Sequence, residues 1–373
     1  MLSLHIAPAP RPRKGGPKIG LAIAGGGPVG AIYELGALQA IDEAFEGVRL
    51  HELDIYVGIS AGSFIVSSLA NRISSADICR TFTDHPGAEF SLQPEEFFRP
   101  DYRQYLETAK RLPSVLTENL LKIIRDPYHS TASAIFDSLG RCLPSGLFDS
   151  DAVEGFLRKI FESEGRSNDF KKLDCTLYVV AVNLDSGAAV KFGDADNCDV
   201  PISKAVQASA ALPALYSPVR INGRYFVDGA LRRTLHASAA LDEGVDLLIG
   251  INPLVPFSSE DETGASADSI PVSRLIRGGL PLILSQTFRA MIQSRMKVGF
   301  TKYRESHPGS DLILLEPNQG DEHMFFTNVF SFSSRNALCD HAYRVTRSDL
   351  LARADELDKI LAKHDMRINR EVL

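Results

Sequence analysis

The chain has 373 residues, of which 44% are hydrophobic, and its 40 basic and 47 acidic residues give a net charge of −7. This size allows one substantial core with a smaller appended region, and the acidic balance argues against a nucleic-acid partner. The five cysteines show no C-x-x-C spacing. They predict free thiols in a reducing, cytoplasmic setting and argue against a zinc site.

The first 18 residues mix prolines with basic residues and contain no apolar stretch long enough for a secretory signal. Residues 1–18 are therefore predicted to form a disordered tail. No run of about eighteen apolar residues occurs in the chain, so no transmembrane helix is expected.

The first predicted strand, Ile19 to Ala24, leads directly into a glycine-rich loop, Gly25-Gly26-Gly27-Pro28-Val29-Gly30. A helix is predicted from Ala31 to Phe45, where apolar residues recur at helical spacing. Consecutive glycines leave backbone N–H groups free to converge on an anion, and the positive end of the helix dipole points the same way. The anion is either a phosphate or a developing oxyanion.

The same loop satisfies the dinucleotide-binding pattern G-x-G-x-x-G through Gly25, Gly27 and Gly30. Such a site requires an acidic residue at the end of the second strand, about twenty residues further on. Here the second strand ends at Gly58, and Asp54 lies near its beginning. The sequence therefore argues against a dinucleotide cofactor, and no metal or organic cofactor is predicted.

The second predicted strand, Leu53 to Val57, is followed by Gly58-Ile59-Ser60-Ala61-Gly62 and by a helix from Ser63 to Ala70. This order is typical of a nucleophile elbow, in which a serine occupies a strained turn between a strand and a helix. Glycines are needed on both sides because a β-carbon there would collide with the flanking elements. The alternative is an ordinary glycine-serine turn.

Residues 74–146 are aromatic-rich and irregular in period. They predict either a helical cap inserted over the active site or a set of peripheral packing helices. Strands then alternate with helices: Cys175 to Asn183 and Val245 to Ile251 are predicted strands, and Pro201 to Ala210 is a predicted helix. This alternation indicates an α/β fold with a largely parallel sheet covered by helices on both sides.

A candidate general base follows the predicted strand Arg224 to Val227, where Asp228 stands directly before Gly229. An isolated Asp-Gly pair is more often a simple turn. In a chain that already carries the elbow and the glycine loop, a carboxylate here can accept the proton of a serine. None of the late histidines follows a recognisable core strand, and each is expected to be a surface or packing residue. These histidines are His236, His307, His323, His341 and His364.

The glycine loop, the G-x-S-x-G pentapeptide, the segment Ala208 to Pro213 and the Asp228-Gly229 pair resemble the motifs of the patatin-like phospholipases in order and spacing. The resemblance extends from about Ile19 to Asn252. It implies a patatin-like fold and a Ser-Asp dyad that needs no histidine. By this resemblance Ser60 is the nucleophile, Asp228 the base, and the backbone N–H groups of Gly25, Gly26 and Gly27 form the oxyanion hole, with Gly58 and Gly62 in the elbow.

The sequence departs from the family pattern at Val29, where the family's glycine loop often carries Arg or Lys. A charge that could bind a phosphate head group or brace the loop is missing, whereas a backbone oxyanion hole is not affected. Ala230 also stands where a second glycine is frequent after the aspartate, which is a mild change.

The predicted catalytic domain covers residues 19–254, followed by an acidic linker at 255–272 and a mainly helical region at 273–373 that packs on the core. Residues 273–304 contain seven basic residues, Arg289, Arg295 and Lys297 among them, and no acidic residue. An amphipathic helix of this kind can contact an anionic membrane surface. It can equally pack on the core through its apolar face and leave its basic face in solvent.

These features predict a serine acyl-ester hydrolase that acts on lipid through an acyl-serine intermediate. The protein is expected to be cytoplasmic, with peripheral membrane contact through residues 273–304 as one alternative, and no oligomeric state is predicted. A second functional hypothesis is a non-catalytic lipid-binding or membrane-associated scaffold of the same fold. Hydrolysis of a chromogenic ester distinguishes the two.

Overall fold

The apolar runs of the sequence form the strands of one large sheet in the computed structural model, which describes most of the chain. The described residues are 2–8, 15–83, 89–91, 99–125, 143–232, 234–258, 275–327 and 332–373. Parts of the predicted tail, of the cap at 74–146 and of the acidic linker at 255–272 lie outside these ranges.

The described residues form thirteen strands and eleven α-helices. The strands are β1 (Leu2–His5), β2 (Ile19–Ile23), β3 (Phe45–Glu46), β4 (Ile55–Ile59), β5 (Gly146–Phe148), β6 (Thr176–Asn183), β7 (Ala189–Phe192), β8 (Ala214–Tyr216), β9 (Val219–Ile221), β10 (Arg224–Asp228), β11 (Leu247–Ile251), β12 (Asp311–Leu315) and β13 (Arg367–Ile368). The helices are α1 (Gly27–Ala44), α2 (Ala61–Ala70), α3 (Ser75–Thr83), α4 (Tyr102–Arg125), α5 (Asp151–Phe161), α6 (Ile202–Ser209), α7 (Ser238–Asp242), α8 (Gly279–Ser306), α9 (Glu322–Phe326), α10 (Phe332–Ala352) and α11 (Ala354–Leu361).

Nine strands form the main sheet in the order β1-β12-β11-β2-β4-β6-β10-β9, with β7 also paired to β6. The five strands from β12 to β6 are parallel, and β1, β7, β9 and β10 are antiparallel to their neighbours. Alternate residues of the central strands enter two separate apolar clusters, one with α1 and α2 and the other with α7 and α8. The predicted α/β fold, with a mostly parallel sheet between helices, is confirmed.

The register of β6 determines which residues meet at the end of the sheet. Strand β4 pairs with residues 176–180 of β6, while β10 pairs with residues 181–183, and β7 occupies the opposite edge. Strands β4 and β10 therefore lie end to end along the same edge and approach each other from opposite directions. Ile59 faces Val180, and Asp228 faces the next residue of β6, Ala181.

The sheet corrects one sequence prediction about the ends of the chain and adds a detail to another. Leu2–His5 is not disordered but forms the edge strand β1, which pairs with β12. The C-terminal region is mainly helical, as predicted, and it also contributes the strand β12, which pairs with β11 in the main sheet. The carboxylate of Asp311 joins these parts: it accepts a hydrogen bond from the Ala7 N–H at 2.6 Å and lies 2.7 Å from Nε2 of His364. Such partners are far apart in sequence and leave no local pattern.

Candidate active site

Ser60 lies between the last residue of β4 and the first residue of α2, in the sharp turn that the sequence predicts. Its backbone angles, φ 52° and ψ −126°, are strained for a residue with a side chain. The hydroxyl and the backbone N–H of Ser63 both donate to the Ser60 carbonyl, at 2.5 and 3.0 Å. The turn is therefore held by the first residues of the helix that it starts.

The two flanking glycines are required by close packing. A β-carbon on Gly58 would lie 2.3 Å from Cγ2 of Val66, and one on Gly62 would lie 2.3 Å from the carbonyl oxygen of Ala24. Both distances are too short for any side chain. The spacing G-x-S-x-G thus has the steric basis that the sequence analysis expected.

Asp228, the last residue of β10, is 2% exposed and lies beside Ser60 because β10 ends where β4 ends. Burial raises the pKa of its carboxyl to about 6, although a hydrogen bond with the Ser60 side chain and one from the Ala230 N–H, at 2.8 Å, both oppose this rise. A carboxylate with this pKa is mostly ionised at neutral pH and is more basic than an exposed one. It has the properties of a general base.

The glycine loop passes directly against the elbow. A β-carbon on Gly25 would lie 2.7 Å from Cβ of Ser60. The first hydrogen bond of α1 runs from the Gly30 N–H to the Gly26 carbonyl, so the N–H groups of Gly26 and Gly27 precede it. Gly27 has φ +59°, which favours glycine. The structure thus places the N-termini of two helices, α1 and α2, next to Ser60.

Ser209 also contributes to this site, although the sequence marks its segment only through the family resemblance. Ser209, at the end of α6, accepts a hydrogen bond from the Ser60 N–H at 2.8 Å and donates one to the Val180 carbonyl at 2.6 Å. Two residues later, the carbonyl of Ala211 accepts the N–H of Asp228 at 2.9 Å. One short segment therefore holds the backbone of both Ser60 and Asp228.

Four of the five late histidines contact residues other than Ser60 and Asp228. His307 lies 3.0 Å from Asp242, His341 lies 2.8 Å from Asp321, and His364 contacts Asp311. His323 stacks near the ring of His341. These contacts agree with the packing and surface roles expected from the sequence.

Helix α8, which contains most of the basic segment, is apolar on two faces: Ile292 and Met296 are buried in the core, and a second row of apolar residues is exposed. The packed face also carries Arg289, which is 7% exposed. The helix therefore packs on the core through apolar residues, as one predicted alternative states, but Arg289 is buried on that face instead of lying in solvent. The exposed apolar residues of α8 are Leu280, Ile283, Leu284, Phe288, Met291 and Val298.

Comparison with known proteins gives a family match. A family model described as patatin-like phospholipase matches residues 21–241, which is more than half of the chain. An uncharacterized protein of Acanthamoeba polyphaga mimivirus is 21% identical over 257 residues, covering 68% of this chain and 70% of that protein.

Several solved structures are distantly similar. VipD from Legionella pneumophila has 16% identity and a TM-score of 0.41, over 95% of this chain and 68% of that chain. The type III effector protein ExoU of Pseudomonas aeruginosa has 14% identity and a TM-score of 0.39, over 92% and 54%. Human GIVD cytosolic phospholipase A2 has 13% identity and a TM-score of 0.34, over 94% and 59%.

The role of Ser209 is tested by comparing two buried serines. Ser209→Ala leaves the Ser60 N–H and the Val180 carbonyl without this partner, so we expect the free energy of unfolding to fall by about 1–3 kcal/mol. Ser67→Ala is the matched control, because the buried Ser67 hydroxyl makes no hydrogen bond within the described part of the chain. Its removal should cost nothing. Equal losses for the two variants in urea unfolding would contradict the assignment.

Proposed function

The chain belongs to the patatin-like phospholipase family, and on this basis we propose that it hydrolyses acyl esters of lipids with Ser60 as nucleophile and Asp228 as base. The observation that carries the proposal is the hydrogen-bonded contact between a serine on a strained elbow and a buried aspartate whose pKa is raised to about 6. Strain and a perturbed pKa together are typical of functional sites.

In the first step, the Ser60 hydroxyl oxygen attacks the carbonyl carbon of the ester while its proton passes to Asp228. The carbonyl oxygen then carries negative charge. Backbone N–H groups of Gly25, Gly26 and Gly27 would stabilise this oxyanion, aided by the dipole of the 18-residue helix α1. The tetrahedral intermediate collapses to an acyl-serine, and the leaving alcohol takes the proton from Asp228.

In the second step, water attacks the acyl-serine. Asp228 accepts a proton from the water and returns it to the Ser60 oxygen as the fatty acid leaves. One carboxylate can serve both steps because it is ionised at the start of each. The burial that raises its pKa also makes it a better proton acceptor.

The substrate class follows from the family and from the loop chemistry. Val29 gives the glycine loop no cation, so the loop offers only backbone dipoles to its ligand. Such dipoles suit an ester carbonyl regardless of the head group. We therefore propose lipid acyl esters in general as substrates.

Helix α8 has an exposed surface that suits contact with a membrane, where lipid substrates lie. Leu280, Leu284, Phe288 and Met291 recur at intervals of three or four residues, so they form one exposed apolar face. Exposed cations accompany this face, and the helix contains one acidic residue, Glu305, near its end. We propose that it lies on an anionic membrane surface. Among the described helices, none combines the length and hydropathy needed to cross a bilayer.

The helix also lies at the active-site end of the sheet. Arg295 donates to the carbonyl of Leu231 at 2.8 Å, three residues beyond Asp228. Arg289 donates to the carbonyl of Pro253, which follows β11. A membrane that contacts the exposed face of α8 would therefore be close to the end of the sheet where Ser60 lies.

The dyad is tested by substitution. Ser60→Ala and Asp228→Asn should each lower kcat on a soluble chromogenic ester by about 10⁴-fold or more, and the double variant should be little worse, because the two residues act as a unit. His307→Gln and His341→Gln are the controls and should retain turnover. A well-folded histidine variant as inactive as Ser60→Ala would show that the base is misassigned. Wild-type protein without any esterase activity would favour the scaffold hypothesis.

The pKa of Asp228 predicts a pH profile. The base acts in its ionised form, so kcat/KM should be constant above about pH 7 and fall with decreasing pH, with a midpoint about 6. Circular dichroism at each pH should confirm that the protein stays folded. The contacts of Asp311, which join the two ends of the chain, should also survive in this pH range. Burial raises the pKa of Asp311, but hydrogen bonds from His364, Ala7 and Lys363 outweigh the effect of burial and lower this pKa overall. The stability that this adds is therefore lost only below about pH 4. A flat profile down to pH 5 would contradict the role of Asp228.

The membrane surface is tested with vesicles. Replacing the exposed cations Arg277, Lys297 and Lys302 with Gln should lower the affinity for anionic vesicles, measured by sedimentation at low salt, by about two orders of magnitude. The reason is that each cation near the surface contributes about 1 kcal/mol to binding. The matched control replaces Arg158, Lys159 and Lys172, which are exposed elsewhere, and should bind as wild type does. Undiminished binding of the α8 variant, or no binding by wild type, would contradict the proposal.

A further inference from the structure

Arg289 is a buried cation on the packed face of α8. Its guanidinium donates to the carbonyl oxygens of Pro253, at 3.1 Å, and Val255, at 3.3 Å, and lies 4.9 Å from the ring centroid of Phe325. Burial lowers its pKa to about 10, so the group is still charged at neutral pH. These partners are neutral, and a charge buried on neutral partners costs stability. A position with this cost suggests a role beyond packing.

The carbonyl that Arg289 holds belongs to a residue that touches the glycine loop. A β-carbon on Gly26 would lie 2.6 Å from Cγ of Pro253, and one on Gly30 would lie 3.0 Å from the same atom. The proline ring therefore fills the space against both ends of the first turn of α1. It limits the movement of the loop on the side of Gly26 and Gly30.

The loop that carries Pro253 is fixed on its other side as well. The side-chain amide of Asn252 donates to Glu316 at 2.7 Å and accepts the N–H of Leu254 at 3.1 Å. Strand β11 also holds the start of the glycine loop, because the N–H of Ala24 donates to the carbonyl of Ile251 at 3.0 Å. Arg289 connects this arrangement to α8 at Pro253 and Val255, and Gln286 of the same helix bonds the backbone of Phe257 further along the loop.

We propose that Arg289 is a positioning residue for the glycine loop: it fixes the carbonyls of Pro253 and Val255, so that the Pro253 ring holds Gly26 and Gly30 in place. This inference rests on the proposed function, in which N–H groups of that loop stabilise the oxyanion. Misplacement of such donors weakens interactions that form only in the transition state, so the loss should appear in kcat and not in KM.

A buried arginine at a different place separates positioning from stability. Arg335 of α10 is 2% exposed and donates to the carbonyl of Phe82 at 3.2 Å, on the α3 side of the molecule. Arg335→Met should lower the melting temperature but leave kcat per folded molecule unchanged. Arg289→Met should lower kcat on a soluble ester by about tenfold to a hundredfold, with KM within twofold of wild type.

Pro253→Ala supplies a second test, because it removes the ring and keeps the carbonyl and the guanidinium. We expect it to lower kcat in the same way as Arg289→Met, and it remains informative if Arg289→Met does not fold. Wild-type kcat in a folded Arg289→Met or Pro253→Ala variant, or an effect confined to KM, would overturn the inference.

A readout that needs no activity keeps the two proposals distinguishable. Amide hydrogen exchange in the peptide containing residues 24–31 should be faster in Arg289→Met and Pro253→Ala than in wild type, and unchanged in Arg335→Met. Unchanged exchange in both loop variants would overturn the positioning role even if the enzyme is active. An inactive wild type with faster loop exchange in the variants would instead overturn the proposed function alone.

Discussion

Two strands that run in opposite directions meet end to end along one edge of β6, and this junction brings Ser60 and Asp228 together. Because β4 pairs as far as Val180 and β10 ends at Ala181, the residue after β4 and the last residue of β10 are neighbours. No side-chain contact is needed to create this relation. The hydrogen-bond register of the backbone fixes it, and the side chains only complete it.

The junction is costly in itself. A serine in its backbone conformation costs on the order of 1–3 kcal/mol, and a buried carboxylate loses its hydration. A strained conformation of this kind persists only where the surrounding residues enforce it, and three residues do so here. Gly58 and Gly62 allow the turn to fit, and Ser209 fixes its N–H. The same contacts that hold the strained serine therefore also hold it against Asp228.

The sequence predicts the parts of this arrangement that are local. The glycine loop between a strand and a helix, the elbow and the strand end at Asp228 each occupy a few adjacent residues, so their patterns are visible without the fold. Ser209 and strand β12 act through partners far away in sequence, and nothing near them marks that role. The edge strand at Leu2–His5 was missed for the same reason, because its partner is more than 300 residues away.

Helix α8 shows why composition alone could not decide its role. Residues 280, 284, 288 and 291 form one face of the helix and Arg289 the opposite one, yet periodicity cannot tell which face meets the core. The rule that apolar faces turn inward would bury the first face. The structure exposes it and buries the face that carries Ile292, Met296 and Arg289, where two carbonyls and an aromatic ring receive the guanidinium. One helix can therefore present an apolar surface outward while its other face reaches the loop beside Ser60.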